Sequence, residues 1–187
     1  MFTLAGIRGS DGRGRSHHAS GHGMASIFEA HSFAMIAHAG QIDKGGQPYI
    51  RHLERVANAA VARAGHAKSV DRLPIEPMQV MQAAILHDVL EDTPTTPVAL
   101  RAEGFPAPVI AMVLLLTKPL ERMPYDERIS RLIAQHDLGA ILIKMSDTED
   151  NLCPERTLAD GEALRERYTH AFRRLNEAAA ALGYTGH

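Results

Sequence analysis

From Ser26 onward, apolar residues recur at intervals of three and four, the period of a helix face turned toward a core. Ile27, Phe28, His31, Phe33, Ala34, Ile36 and Ala37 make the first such stripe. Gly40 stops it, and Gly45-Gly46-Gln47-Pro48 predicts a turn. A second helix is predicted from about Tyr49 through Val56 and Val61 to Gly65. Pro77, at the first-turn position that proline favours, opens a third with Val80, Ala83, Ala84, Ile85 and Leu86. Thr93-Pro94-Thr95-Thr96-Pro97 is a break followed by a cap, so a short helix should run to Gly104. Further helices are predicted over Ala107–Leu116, Tyr125–Gln135 and Leu138–Asn151, and a last one over Ala159–Leu182. Within the Leu138 segment, Ile141-Leu142-Ile143 alone also fits a buried strand. With no internal repeat and no alternating runs, the expected fold is all-α, a single compact helical bundle.

Residues 1–24 break this pattern. The run from Gly9 to His18 and the segment Gly21-His22-Gly23 hold almost nothing apolar to bury. A disordered leader is expected there, or a translated extension ahead of a start at Met24, with the folded domain over 25–187. His17, His18 and His22 belong to that solvated tail, because glycine-rich surroundings fix no metal geometry.

Composition narrows the function. The 187 residues suffice for one domain with a real core, and the apolar share of 45% is ordinary. A net charge of −2 leaves no basic excess for a nucleic-acid backbone or a membrane surface, so neither partner is expected. Without tryptophan and with few aromatics, a base-stacking platform is not expected either. Cys153 is the single cysteine, which rules out an intramolecular disulfide and agrees with a reducing cytoplasm. No apolar run reaches the roughly 18–20 residues of a membrane span, and no secretory signal opens the chain. A phosphate-rich substrate would have to be met by a few local cations and a metal.

The chemistry concentrates in His87-Asp88-Val89-Leu90-Glu91-Asp92. An adjacent His-Asp pair on a helix offers one nitrogen and one oxygen to the same cation. Glu91 and Asp92 stand three and four residues from Asp88, so all four polar groups emerge near one helix end. Crowded acids repel one another unless a cation or a proton compensates them. Taken alone, this could be an ordinary solvated helix end. Polar residues also interrupt apolar helices at His52, after Tyr49-Ile50, and at Asp147, after Ile141-Leu142-Ile143-Lys144-Met145-Ser146. A buried lone aspartate costs several kcal/mol unless it is paired or metal-bound. Periodicity alone does not bring these positions together.

Four ordered blocks give a resemblance. They are Ala37-His38-Ala39-Gly40-Gln41, Lys44-Gly45-Gly46-Gln47-Pro48-Tyr49-Ile50-Arg51-His52, the segment from Ala83 to Thr93, and Ile143-Lys144-Met145-Ser146-Asp147. Through them, from about His31 to Asn151, the chain resembles the HD-domain phosphohydrolases. Within these it is most similar to the small alarmone hydrolases related to the hydrolase domain of RelA/SpoT proteins. The resemblance implies a mononuclear site ligated by His52, His87, Asp88 and Asp147, with Mn²⁺ the usual metal. A mixed nitrogen and oxygen set does not choose among Mn, Fe, Co and Zn. The resemblance further implies that Glu91 and Asp92 position and deprotonate the attacking water, that Asn151 contacts the ribose, and that Lys44 belongs to the substrate loop. His38 is expected to be a hydrogen-bonded structural histidine and His31 a packing residue. Tyr125, Arg131, Arg165, Tyr168 and Lys118 are candidates to face phosphate, with surface or capping roles as the alternative.

Two positions depart from the family pattern. Leu53 stands where proline usually follows the histidine, which affects no ligand. Asp43-Lys44 stands where the relatives carry Arg-Lys, and an aspartate cannot stack on a base as that arginine does. Asp43 is expected instead to accept a hydrogen bond from an exocyclic amino group, favouring an adenine alarmone. The expected activity is removal of the 3′-pyrophosphate from (p)ppGpp or (p)ppApp. With no space for the synthetase domain of bifunctional relatives, degradation alone is expected. The alternatives are another HD nucleotide phosphohydrolase or a nucleotide-binding module without turnover. Oligomeric state is not encoded in these patterns.

Overall fold

Ser26 begins the ordered helices with a reciprocal cap. Its hydroxyl accepts from the Glu29 N–H at 3.3 Å while the Glu29 carboxylate accepts from the Ser26 N–H at 2.5 Å, satisfying two donors that a helix start leaves open. The computed structural model describes residues 25–43, 45–153 and 161–186, so the expectation for residues 1–24 lies outside the described residues.

The helices follow in order as α1 (Ile27–Ala37), α2 (Ile50–Ser69), α3 (Pro77–Ile85), α4 (Val89–Asp92), α5 (Pro97–Ala102), α6 (Ala107–Leu116), α7 (Tyr125–Ile133), α8 (Leu138–Leu152) and α9 (Gly161–Ala181). Among the described residues there is no strand, only an isolated bridge between Ile42 and Pro48. The expected all-α class is therefore the observed one. Proline opens α3 and α5 as predicted, and Thr96 caps α5 through the Ala99 N–H. Gly40, at φ 80°, takes the left-handed turn that ends α1.

Three expectations change. Phe28 and Ile36 of the predicted α1 stripe face solvent, leaving Ala30 and Ala34 as that helix's buried face. Helix α2 runs four residues past Gly65, to Ser69, because glycine weakens a helix by about 1 kcal/mol without ending it. The third concerns the site: α3 stops at Ile85, so His87 and Asp88 sit in a tight turn before α4 rather than on one helix.

Helix α8 runs through the middle of the bundle, packed between α2 and α9 and touching α3 and α6. Gly139 to Ile143 and Met145 to Thr148 are all buried. A helix covered on every side needs no polar stripe, which is why Ile141-Leu142-Ile143 also resembled a strand. Asp137 caps it by accepting from the Ala140 N–H at 2.8 Å. Asp147 is thereby carried into the core near the first turn of α2.

Candidate active site

Each site residue is placed by a short-range feature. Before α2 the chain folds back on itself: the Asp43 N–H donates to Gln47 O at 2.7 Å, and Gly46 turns at φ 78°. That loop delivers Tyr49 and then His52, which lies in the first turn of α2 with 2% of its surface exposed. The turn after α3 delivers His87 and Asp88, and α8 delivers Asp147.

The four expected ligand residues converge. One ligand atom each from His52, His87 and Asp147 lies within 4.8 Å of the others. His52 Nε2 is 3.5 Å from Asp147 Oδ1 and 3.8 Å from Asp88 Oδ2, while His87 Nε2 is 3.9 Å and 3.1 Å from the same two oxygens. Partners at the far side of each ring set the tautomer. His87 Nδ1 faces the Ala84 carbonyl at 2.8 Å, and His52 Nδ1 faces Asp150 Oδ2 at 2.7 Å. Both partners only accept, so Nδ1 carries the proton in each neutral ring and Nε2 turns a lone pair toward the centre.

These residues fit a divalent cation. His87 Nε2 is buried without a hydrogen-bond partner, since Asp88 Oδ2, though close, lies off the line such a bond needs. The electrostatics point the same way. Burial depresses the His87 pKa, but Asp88 and Asp147 outweigh it and raise the value to about 9. Burial opposes ionisation of Asp88 and Asp147 as well. His87 and the Tyr49 hydroxyl nevertheless hold Asp88 well below the usual carboxylate range, and Lys144 and His87 lower Asp147. The two carboxylates thus stay ionised and draw positive charge to themselves, here a proton on His87 and the Lys144 ammonium. Two imidazole nitrogens and two carboxylates suit a hydrolytic divalent ion.

Above the centre opens a cleft of about 320 Å³, lined among others by Glu91, Asp92, Arg128, Lys144, Asn151 and Tyr168. Glu91 Oε2 accepts from the Lys118 backbone N–H at 3.0 Å, so Lys118 contributes its main chain to the site. Burial, followed by the Asp88 charge, raises the Asp92 pKa above the ordinary carboxylate value. Asn151 donates to Asp147 Oδ1 at 2.7 Å.

Tyr49 and Lys144 had figured only as motif landmarks. Tyr49, whose hydroxyl burial and Asp88 keep firmly protonated, donates to Asp88 Oδ2 at 2.6 Å and to Asp92 Oδ2 at 3.3 Å. Burial opposes the charge on Lys144, but Asp147, 2.7 Å away, more than restores it. Arg128 and Arg167 carry no signal of a site role in the sequence. Their guanidinium carbons lie 5.1 and 5.0 Å from the centre of the Tyr125 ring, which meets Tyr168 edge-on. A tyrosine pair that gathers cations is a tertiary arrangement with no signature along the chain.

Arg165 and Arg131, also expected near phosphate, sit away from the cleft. Arg165 is exposed on α9, about one turn before the buried Tyr168. Arg131 pairs with Glu127 at 3.0 Å on the surface of α7. Lys44 lies outside the described residues. Asp43 borders the cleft, but its carboxylate serves its own loop. Oδ1 accepts from the N–H groups of Gly45 and Gln47, both at 2.9 Å, and Oδ2 pairs with Arg55 at 3.3 Å. The contact with an exocyclic amino group expected of Asp43 is therefore not what this orientation offers. His38 is buried and bonded to Gln41 at 2.7 Å, as expected of a structural histidine. His31, by contrast, is a surface partner of Glu54 at 2.8 Å, since its polar ring reaches α2 at the solvent edge.

Comparison with known proteins places this geometry. No protein-family model matches the sequence. Guanosine-3′,5′-bis(diphosphate) 3′-pyrophosphohydrolase MESH1 of Mus musculus is 35% identical over 133 residues, 68% of this chain and 68% of that protein. The Homo sapiens MESH1 gives the same figures. The enzyme named guanosine-3′,5′-bis(diphosphate) 3′-pyrophosphohydrolase in Haemophilus influenzae is 33% identical over 128 residues, and there the match spans only 17% of the relative's length. A solved metazoan SpoT ortholog, described as hydrolysing ppGpp, shares the fold with a TM-score of 0.63 and 23% identity over 88% of this chain and 90% of that one. With its convergent histidines and aspartates and its MESH1-like sequence over two thirds of both proteins, the chain belongs to the HD-type family of MESH1 and SpoT hydrolases.

Proposed function

We propose that this protein is a metal-dependent phosphohydrolase that removes the 3′-pyrophosphate from a purine alarmone, (p)ppGpp or (p)ppApp, in the cytoplasm. One observation carries the reading. Two imidazole Nε2 atoms and the Asp147 carboxylate meet in one buried group, with Asp88 Oδ2 3.1 Å from His87, beneath a polar cleft that also holds Glu91 and Asp92. The family's named activity on ppGpp supports the substrate class.

His52, His87, Asp88 and Asp147 would hold the cation, with Mn²⁺ the proposed metal. Such an ion supplies polarisation of a phosphate oxygen and a more acidic bound water. Glu91 and Asp92 orient the attacking water, and the raised pKa of Asp92 makes it the stronger base for the proton that the water gives up. Tyr49 holds Asp88 and Asp92 in fixed relation. Water adds to the phosphorus bonded to O3′, the P–O3′ bond breaks, pyrophosphate leaves, and O3′ gains a proton. Lys144 and Arg128 bring positive charge to the same cleft, where the substrate's phosphates would lie, and Asn151 and Tyr168 line its wall.

The test is release of pyrophosphate from ppGpp and ppApp with and without added Mn²⁺, beside other nucleotides. The expected products are pyrophosphate and the 5′-nucleotide, formed only with metal. Orthophosphate as product would indicate another HD phosphohydrolase, and binding without any release would indicate a sensor.

A further inference from the structure

Behind the centre, two helices repeat one arrangement. On α2, His52 faces the centre and Arg55 follows one turn later. On α8, Asp147 faces it and Asp150 follows one turn later. The two followers meet. Arg55 Nε donates to Asp150 Oδ1 at 2.5 Å and Arg55 Nη2 to Asp150 Oδ2 at 3.2 Å, the two-point grip that a planar guanidinium gives a carboxylate. Asp150 Oδ2 is also the acceptor for His52 Nδ1. The same Nη2 reaches Asp43 Oδ2 at 3.3 Å, and Asp43 Oδ1 holds the N–H groups of Gly45 and Gln47. Asp43 and Asp150 side chains are only 1% and 8% exposed, so each is a carboxylate removed from water and in need of compensation.

We infer that Arg55 is a positioning residue which ties the metal-facing orientation of His52 to the shape of the loop entering the cleft. It fixes Asp150, Asp150 fixes the His52 tautomer, and the same guanidinium anchors Asp43 and through it the turn of Gly45 and Gln47. Metal affinity and loop order are thus linked through one side chain that touches neither metal nor substrate. The metal part of this inference rests on the function proposed above; the loop and tautomer parts do not.

The experiment uses the full chain and its Arg55→Met and Arg55→Lys variants. Losing the direct outer partner of a ligating histidine, here Asp150, typically costs about 10–100-fold in metal affinity. Calorimetric Mn²⁺ affinity should therefore fall by up to about 10-fold in Arg55→Met, one step further out, and less in Arg55→Lys. In metal-free protein, amide exchange at Gly45 and Gln47 should quicken in Arg55→Met while amides in the middle of α2 and α8 keep their protection. A purely structural role would instead loosen those helices along with the loop. Ring-nitrogen NMR of the wild type should show His52 protonated at Nδ1, with a mixture of tautomers in Asp150→Asn, and this arm stands even where Arg55→Met does not fold. Unchanged Mn²⁺ affinity with unchanged loop exchange overturns the inference, as does a wild-type His52 protonated at Nε2. A wild type that binds no divalent metal would refute the proposed function, while the exchange and ring-nitrogen results would still decide the link between loop and histidine.

Discussion

Tyr49 contributes a single hydroxyl, yet that group bridges a proposed metal ligand and a proposed proton acceptor. Tyr49→Phe should keep the fold and bound Mn²⁺ and lower kcat about 10–100-fold, since a hydrogen bond to a charged group contributes roughly 1.5–3 kcal/mol. Steady-state kinetics with metal analysis checks this, and an unaltered kcat removes Tyr49 from the machinery. Glu91→Gln and Asp92→Asn test the next step. Each should retain metal and nucleotide binding by calorimetry while turnover falls about 10²–10⁴-fold, as for loss of a general base. A rate unchanged in both would move proton transfer to another residue. Patterning alone marks His52, His87 and Asp147 as polar positions beside apolar stretches, while the ligand set and the roles of Glu91 and Asp92 come only with the family resemblance. The orientation of Asp43 is legible in neither, because its partner Arg55 lies a helix turn inside α2 and nothing local marks the pair.

Residue spacing announces a helix wherever one face is buried and the other wet, as in α7, because that contrast is written into the sequence. The junction of α3 and α4 is silent in the sequence. The apolar positions Ile85, Leu86 and Val89 are all buried and continue a helical rhythm across it, so no pattern announces that the backbone turns. Helix α8 was ambiguous for the opposite reason, being buried almost throughout. Its start depends on Asp137. Asp137→Ala should lower unfolding free energy by about 1 kcal/mol, the usual effect of losing such a cap, with kcat unchanged at temperatures where the protein is folded. Denaturant titration measures the first and a rate assay the second. No stability change would mean that packing alone sets the helix start.

At the scale of the molecule, acids from α8 and from the turn before α4 converge at one point in the core, and a cation there joins separate parts of the chain. Chelation should therefore lower Tm, and Mn²⁺ at about 100 times its Kd should restore roughly 2.7 kcal/mol. A Tm indifferent to chelator and metal would argue that no cation binds the folded state. A second tie lies far from the site. The Thr185 hydroxyl and N–H donate to Asp71 just beyond α2, at 2.6 and 3.1 Å, and these bonds lower the Asp71 pKa below its ordinary 3.8. A depressed carboxylate adds stability above its unfolded pKa and loses it as pH falls through the folded one. Thr185→Ala should thus lower Tm at pH 7, and the gap from wild type should close below pH 3.8. A gap independent of pH would assign the effect to packing of the neighbouring Tyr184.

The turn that separates α3 from α4 carries one more consequence. Successive side chains on an unbroken helix point about 100° apart, since 3.6 residues complete a circle. On such a helix His87 and Asp88 would diverge, and only one could address a given ion. Interrupting the helix between Ile85 and Val89 lets neighbours in sequence become neighbours in space, with His87 Nε2 and Asp88 Oδ2 3.1 Å apart. The His-Asp pair works as a two-toothed chelate because the helix lapses there, so a change that healed the helix would leave every ligand residue in place and still disperse the site.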